Sequence, residues 1–501
     1  MKKRVVLIMT DTTRKDMLGC YGNKKMITPN IDKLAKEGIK YENAYTAQPV
    51  CGPARSAIFT GLFPHANGMV TNCVALGANI KTVGERLTDQ DVHCAYVGKW
   101  HLDGGDYFGL GKCPEGWDPK YWYDMKCYME ELTEEERVKS RKSETSYSDD
   151  MNEEFTYAHR CSNRAMDFLE KNKEEEFFLT VSYDEPHGPS LCPSPYNTMY
   201  TGFKFDDNPN FVDDLSKKPM FQSLWAGEDL LKGKEEINKS SKALSLFLGC
   251  NTFVDYEIGR VIEKINKYVP DALVIFTSDH GDMLGAHRLQ QKNATAYKEV
   301  ANIPLIIRGG EVDKTISYPA SHIDLVPTIL DYMGKDIPLF LDGKSMLPQI
   351  YDSKLKLNDS VYTEFTRYEV DHDGFGGLQM MRAIIREKYK LVVNLLDLDE
   401  FYDLEKDPFE VNNLIENLEY CEIRNEMHEE LLENMDKTRD VYRGYQWAVR
   451  PWRSDKKPTW NNSGYTRQRE NEEYEPKQLD YDTGLPMVSA VRFKALNDVK
   501  K

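Results

Sequence analysis

The sequence predicts an α/β fold: a large mixed, mostly parallel sheet flanked by helices, followed by a smaller C-terminal α+β subdomain of antiparallel strands. Three observations point there. β-rich apolar runs recur along the chain, and each ends abruptly in polar residues. Amphipathic helical patterns separate them. After about Leu355 the spacing shortens to alternating strands joined by acidic turns.

In order, Val5–Met9 runs into Asp11 and Val92–Val97 into Gly98-Lys99-Trp100-His101. Phe177–Tyr183 runs into Asp184-Glu185-Pro186-His187, and Ala272–Ser278 into Asp279-His280-Gly281-Asp282; Ile303–Arg308 follows. Runs this short and apolar suit strands buried on both faces. Thr28–Gly38 reads as a helix with Thr28 as N-cap, Pro29 at the first helical position and Gly38 as a stop. Pro53 and Gly61 bracket a second, short helix. Beyond Ala383 come short antiparallel strands, then a helix over roughly Tyr420–Arg439. The expected domains are 1–355, 356–440 and an aromatic and basic tail, 441–501, packing on the surface. Two charge-rich stretches, Glu130–Asp150 and Phe203–Lys242, read as solvated insertions.

The 501 residues are 40% hydrophobic, enough for a sizeable core. Acidic residues outnumber basic ones, 82 to 65, giving a net charge of −17. That excludes a duplex-binding surface, which would be basic. An anionic substrate would have to be drawn in by local cations. The N-terminal apolar run meets Asp11 too soon for a signal peptide, and no stretch is long enough to span a bilayer. The expectation is a soluble, cytoplasmic protein without a membrane partner, its oligomeric state open. Ten cysteines without a CxxC pair fit reduced thiols rather than a disulfide scaffold.

Parallel sheets bind ligands at the carboxyl ends of their strands, where the unusual polar residues occur here. Asp11 and the pair Asp279-His280 each follow an apolar run. Two carboxylates and an imidazole suit a divalent cation. An all-oxygen set favours Ca²⁺ or Mg²⁺, and an imidazole nitrogen pulls toward Mn²⁺ or Zn²⁺. Cys51 begins the short helix, where free N–H groups and the dipole favour an anion. It reads as a small buried thiol or as a thiolate nucleophile.

Cys51-Gly52-Pro53-Ala54-Arg55, followed by Thr60-Gly61, resembles the C-x-P-x-R-x4-T-G signature of the formylglycine-dependent (type I) sulfatases, in the alkaline phosphatase superfamily. The stretches LIMTDTTRKDMLGCYG, GKWHL, DEPHGP, TSDHGDMLGAH and QKNATAYKEVANIPLIIR are similar to that family's remaining motifs, in the same order. The likeness runs from Lys3 to about Leu432. GKWHLDGGDYFG, TRYEVDHDGFGG and YQWAVRPWR resemble one bacterial subgroup and extend it into the tail.

The resemblance implies an alkaline-phosphatase-like fold and hydrolysis of a sulfate ester, on a carbohydrate or an aryl alcohol, to alcohol and inorganic sulfate. It implies that Cys51 is converted to 3-oxoalanine by a formylglycine-generating or anaerobic sulfatase-maturating enzyme. It implies one divalent metal, Ca²⁺ first with Mn²⁺ or Mg²⁺ as alternatives, on Asp11, Thr12, Asp279, His280 and position 51. Thr12 stands where most sulfatases carry a second Asp; the related phosphonate monoester hydrolases also lack that Asp, and its loss weighs against calcium. Arg55 would orient the aldehyde hydrate, Lys99 and Lys292 bind the sulfate oxygens, and His101 and His187 move protons. Asp16 and His287 are supporting candidates, and Arg367 and His372 would read substrate hydroxyls. Three rival readings remain: a phosphonate monoester hydrolase or phosphodiesterase on the same fold, a non-catalytic anion-binding relative, and a redox protein using Cys51 as a thiolate.

Overall fold

The computed structural model describes residues 2–104, 107–292, 294–368, 377–456, 479–486 and 489–490. They divide into two compact units, residues 1–414 and 415–501.

In the first unit the apolar runs become strands: β1 (Arg4–Asp11), β2 (Ile39–Tyr45), β3 (His93–Gly98), β4 (Phe177–Pro186), β5 (Leu273–Ser278), β6 (Asn302–Arg308), β7 (Lys314–Ile316) and β8 (Ala320–Ser321). Among the described residues these eight form one sheet in the order β3-β4-β1-β5-β6-β2-β7, with β8 also on β2. β3, β4, β1 and β5 are mutually parallel, and β6 runs antiparallel to both β5 and β2. The sheet is therefore mixed and mostly parallel, as the sequence predicts.

Alternation along β1 builds two cores. Val6 and Ile8 face one side, packed with α3 (Tyr157–Lys171) and α4 (Lys242–Tyr268) after α1 (Pro29–Lys36) and α2 (Cys51–Thr60) in chain order. Val5, Leu7 and Met9 face the other, with α2 and α5 (Leu325–Met333). Both faces are covered, which is why the strands carry so few polar side chains before their ends.

β9 (Ser360–Arg367), β10 (Leu378–Arg386), β11 (Tyr389–Asn394) and β12 (Glu400–Asp403) form a separate antiparallel sheet in the order β12-β11-β10-β9. It falls within the first unit. The second unit holds α6 (Cys421–Lys437), with Leu431 and Met435 buried. Trp447, also buried, accepts at its carbonyl from His428 Nε2 at 2.8 Å. No helix among the described residues is long and apolar enough to cross a membrane.

Local expectations at α1 shift in detail. Thr28 precedes the helix but makes no cap hydrogen bond; its Oγ1 accepts from the Gly19 amide (2.9 Å) and donates to Asp32 Oδ1 (3.1 Å). Gly38 follows the end of α1 because the chain must pass β6: a Cβ there would lie 2.4 Å from the Ile307 carbonyl oxygen. The stretch 203–242 is not a solvated insertion. Phe211, Asp213, Lys218 and Gln222 are buried, and its last residues line the cleft described below.

Gly98 ends β3 at φ +118, and a Cβ there would lie 1.9 Å from the Ser182 carbonyl oxygen of β4. Gly98→Ala is expected to cost about 1–3 kcal/mol for the backbone conformation alone, with the clash in addition. Gly68→Ala, at φ +88 with open space around it, is expected to cost only about 1–2 kcal/mol. Urea denaturation of the two variants checks the difference.

Candidate active site

The parallel strands deliver their polar ends to one edge of the sheet. Asp11 closes β1, Lys99 and His101 follow β3, Asp184 lies near the end of β4 with His187 just beyond, and Asp279 and His280 follow β5. β2 leads into α2, whose first residue is Cys51 and whose every residue is buried. The cluster is thus assembled by topology, from segments far apart in sequence.

At its centre, ligand atoms of Asp11, Cys51, Asp279 and His280 all lie within 4.8 Å of one another. Cys51 Sγ is 3.2 Å from His280 Nε2, 3.8 Å from Asp11 Oδ1 and 2.9 Å from Lys292 Nζ. His280 Nδ1 donates to the Gly281 carbonyl at 2.8 Å, which turns Nε2 toward the cluster. Thr12, at φ +71, ties the carboxylates together: its hydroxyl donates to Asp11 Oδ1 (2.6 Å) and its amide to Asp279 Oδ1 (3.1 Å).

Arg55 lies one turn beyond Cys51 and is wholly buried. Its guanidinium donates to Asp279 Oδ2 (3.0 Å), Asp11 Oδ2 (3.2 Å), Ser182 Oγ (2.8 Å) and the Lys99 carbonyl (2.6 Å). Lys99 Nζ pairs with Asp11 Oδ2 at 2.7 Å and Asp184 Oδ1 at 2.9 Å.

The charges set one another. Burial opposes ionisation of Asp11, but Lys99, His187 and Arg55 hold its carboxyl well below the usual range. Burial and the Asp11 charge lift Asp279 to about 6. Burial would keep His280 neutral, yet Asp279 and Cys51 raise it to about 9. Burial and Asp11 push the Cys51 thiol up, but Lys292, Lys99 and His280 outweigh them and hold it well below its ordinary value. His187 is lowered to about 4 by burial and Lys99, and His101 is held well below its ordinary value by burial, Lys99 and Arg55.

A cleft of about 880 Å³ opens over this centre. Thr12, Cys51, His101, His187 and Lys292 reach its wall. His101 sits at φ +58, and its buried Nδ1 has no hydrogen-bond partner among the described residues. The structure thus brings together Cys51, Arg55, Lys99, His101, His187, Lys292, Asp11, Thr12, Asp279 and His280. Asp16, His287 and Arg367 stand outside this group. Asp16 is half exposed and paired with Arg14. His287 is buried on Asp213 (2.7 Å) and stacked on Tyr297, outside the cleft lining. Arg367 is exposed, its guanidinium donating to Cys73 Sγ at 3.5 Å. His372 lies outside the described residues.

Three site residues escape the sequence reading. Asn72 accepts from the Gly52 amide at 2.8 Å and lines the cleft. Asp184 and Tyr107 stand beside Lys99 and His187. Asp184 is signalled by its place at a strand end. Tyr107 lies in the GGDYFG stretch, but nothing in its spacing sets it apart from neighbouring aromatics.

The fold is alkaline-phosphatase-like, a mixed, mostly parallel sheet flanked by helices, and its edge holds a buried thiol, two carboxylates and paired cations. The chain belongs to the sulfatase family: that family's model matches residues 3–335, and the N-sulphoglucosamine sulphohydrolase C-terminal family matches 285–437. It is accordingly a sulfuric ester hydrolase. It is 43% identical over 496 residues, 96% of each chain, to the uncharacterized sulfatase YidJ of Escherichia coli (strain K12). Among solved structures it is similar to the phosphonate monoester hydrolase of Agrobacterium radiobacter (TM-score 0.74, 22% identity, 87% of this chain and 96% of that one). It is also similar to BT4656, solved with its substrate D-glucosamine-2-N,6-O-disulfate (TM-score 0.71, 21% identity, 88% and 99%).

Arg55→Met leaves Asp11 and Asp279 without their shared counter-charge. In the presence of a chelator it is expected to cost about 3–5 kcal/mol in urea denaturation. Saturating divalent cation should restore part of that loss, because it neutralises the same carboxylates. A variant that no divalent ion restabilises would dissociate these carboxylates from the metal.

Proposed function

We propose that the chain hydrolyses the sulfate ester of a carbohydrate or a small aryl alcohol, with Cys51 converted to formylglycine and one divalent cation at the edge of the sheet. The observation that carries this reading is the convergence of Cys51, Asp11, Asp279 and His280 on one point, with Lys292 against the sulfur.

The donor set fits a divalent cation. Two buried carboxylates and an Nε2 face one another, and Asp279 with Cys51 raises the His280 pKa to about 9. Asp11, Asp279, His280 and the residue at position 51 would hold the ion. When bound, it supplies Lewis-acid polarisation of the sulfate and lowers the pKa of an oxygen nucleophile. A formylglycine hydrate supplies that oxygen, plus a second hydroxyl whose deprotonation releases sulfate. Its formation requires a formylglycine-generating or anaerobic maturating enzyme as a partner.

The chain's own residues do the rest. Lys99 and Lys292 hold the sulfuryl oxygens as point charges. Arg55 keeps Asp11 and Asp279 oriented and balanced. His187 gives its Nε2 proton to the departing alcohol oxygen. Its depressed pKa reflects burial and the Lys99 charge, and an anionic ester beside Lys99 and Lys292 offsets that cation field. His101, kept neutral and with a free Nδ1, accepts the proton from position 51. The disulfated glucosamine bound by the neighbour BT4656 supports a sugar as the alcohol half.

Thr12 favours a second reading, phosphonate monoester hydrolysis. It removes one negative charge from the metal-side wall, and the hydrolase of Agrobacterium radiobacter shares the fold. Rates on paired aryl sulfate and aryl phosphonate esters separate the two.

Active protein is expected to carry a residue at position 51 whose peptide mass is below that of the thiol. Full thiol mass in an active preparation refutes the formylglycine step. Chelation should abolish turnover, and its recovery with Ca²⁺, Mg²⁺ or Mn²⁺ identifies the ion.

A further inference from the structure

The loop after His101 returns Tyr107 to the wall of the cleft. Its hydroxyl stands between two groups: Asp184, at 2.7 Å and 2.9 Å from its two carboxylate oxygens, and His187 Nδ1, at 3.0 Å. The ring is held by Lys99, whose Nζ lies 4.2 Å from its centroid, and by edge contact with Phe108. The tyrosine is therefore fixed against the site.

Counting protons assigns the hydrogen bonds. Asp184 is paired with Lys99 at 2.9 Å and, as a carboxylate, can only accept. Tyr107 has one proton, so it donates to Asp184. Its oxygen is then left as an acceptor toward His187. The Gly188 carbonyl, also an acceptor, lies 3.0 Å from the same Nδ1. Two acceptors converge on Nδ1, so Nδ1 carries a hydrogen. The other nitrogen, Nε2, points into the cleft, 3.5 Å from Lys292 Nζ.

We propose that Tyr107 is a positioning residue for the leaving-group step. It ties His187 to the ionised Asp184, holding the ring in the tautomer and orientation that present Nε2 to the ester oxygen. This rests on His187 acting as the acid. His187 enters the step as the imidazolium, having taken a proton at Nε2 from solvent when the anionic ester binds. The hydrate oxygen at position 51 bonds to sulfur as the ester S–O bond breaks, and the electron pair of that broken bond stays on the departing oxygen. That oxygen takes the Nε2 proton, and His187 is left neutral with Nδ1–H still bonded to Tyr107. Without the hydroxyl, the Nδ1–H keeps only the Gly188 carbonyl, and the ring loses its link to Asp184.

The test compares Tyr107→Phe, His187→Ala and the double variant, each with position 51 converted, on 4-nitrophenyl sulfate and phenyl sulfate. Protonation matters little for the first leaving group and much for the second. Tyr107→Phe is expected to lower kcat on phenyl sulfate by about 10–100-fold, a part of the general-acid contribution, with KM little changed, and to lower it by less than about 3-fold on 4-nitrophenyl sulfate. In the His187→Ala background it should cost nothing further. Equal losses on both substrates, or an undiminished loss without His187, overturn the role of Tyr107 while leaving His187 as the acid. If His187→Ala itself shows no steeper loss on phenyl sulfate, the assignment of His187 fails and this proposal with it. Independently, ¹H–¹⁵N correlation on histidine-labelled protein should show neutral His187 protonated at Nδ1, with the Nδ1–H resonance displaced in Tyr107→Phe as that hydrogen passes to the Gly188 carbonyl alone. An unmoved Nδ1–H resonance overturns the proposal.

Discussion

The Arg55 guanidinium is the constraint on which the site depends. Its bonds reach the end of β1 at Asp11, the loop after β5 at Asp279, the loop after β3 at Lys99 and the body of β4 at Ser182. One rigid fork thus sets the mutual positions of four segments, which a flexible ammonium could not do. Its position follows from α2, which seats Cys51 and Arg55 on one face. A shift of α2 would therefore move the reacting group and its scaffold together.

Charge is balanced locally within this frame. Arg55 and Lys99 stand against Asp11, Asp184 and Asp279 within the protein interior, while Lys292, part-buried, lines the cleft against Cys51. Full burial makes each unpaired member costly, so the members hold one another. The molecule as a whole is strongly acidic, at −17. The attraction for an anion thus comes from the cations that face the cleft, not from the surface field.

Much of this was legible in the sequence. Each apolar run that ends at a polar group became a strand, and Asp11, Asp279 and His280 meet because parallel strands end on the same edge. Cys51 and Arg55 could be paired by helical spacing alone. What could not be read depends on contacts across sequence. Thr28 loses its capping role to Gly19 and Asp32, partners set by tertiary packing. Gly38 serves a close approach to Ile307 that no local pattern announces. His287 looked like part of the site, being near Asp279 in sequence, yet its ring packs on Tyr297. Charge density alone misjudged residues 203–242, because a segment can be polar overall and still bury particular members, here Phe211, Phe221 and Asp213.

That last segment has a wider consequence. Glu236, Ile237, Lys239 and Ser241 line the cleft, yet none of them belongs to the strands that carry the reacting groups. This part of the cleft wall is therefore physically separate from the reacting groups. Insertions and replacements in this one excursion can reshape which molecules are admitted, while the reaction centre stays under the separate control of the sheet. Diversification within such a lineage would be written there, and exchanging the segment between relatives is a direct route to changed selectivity.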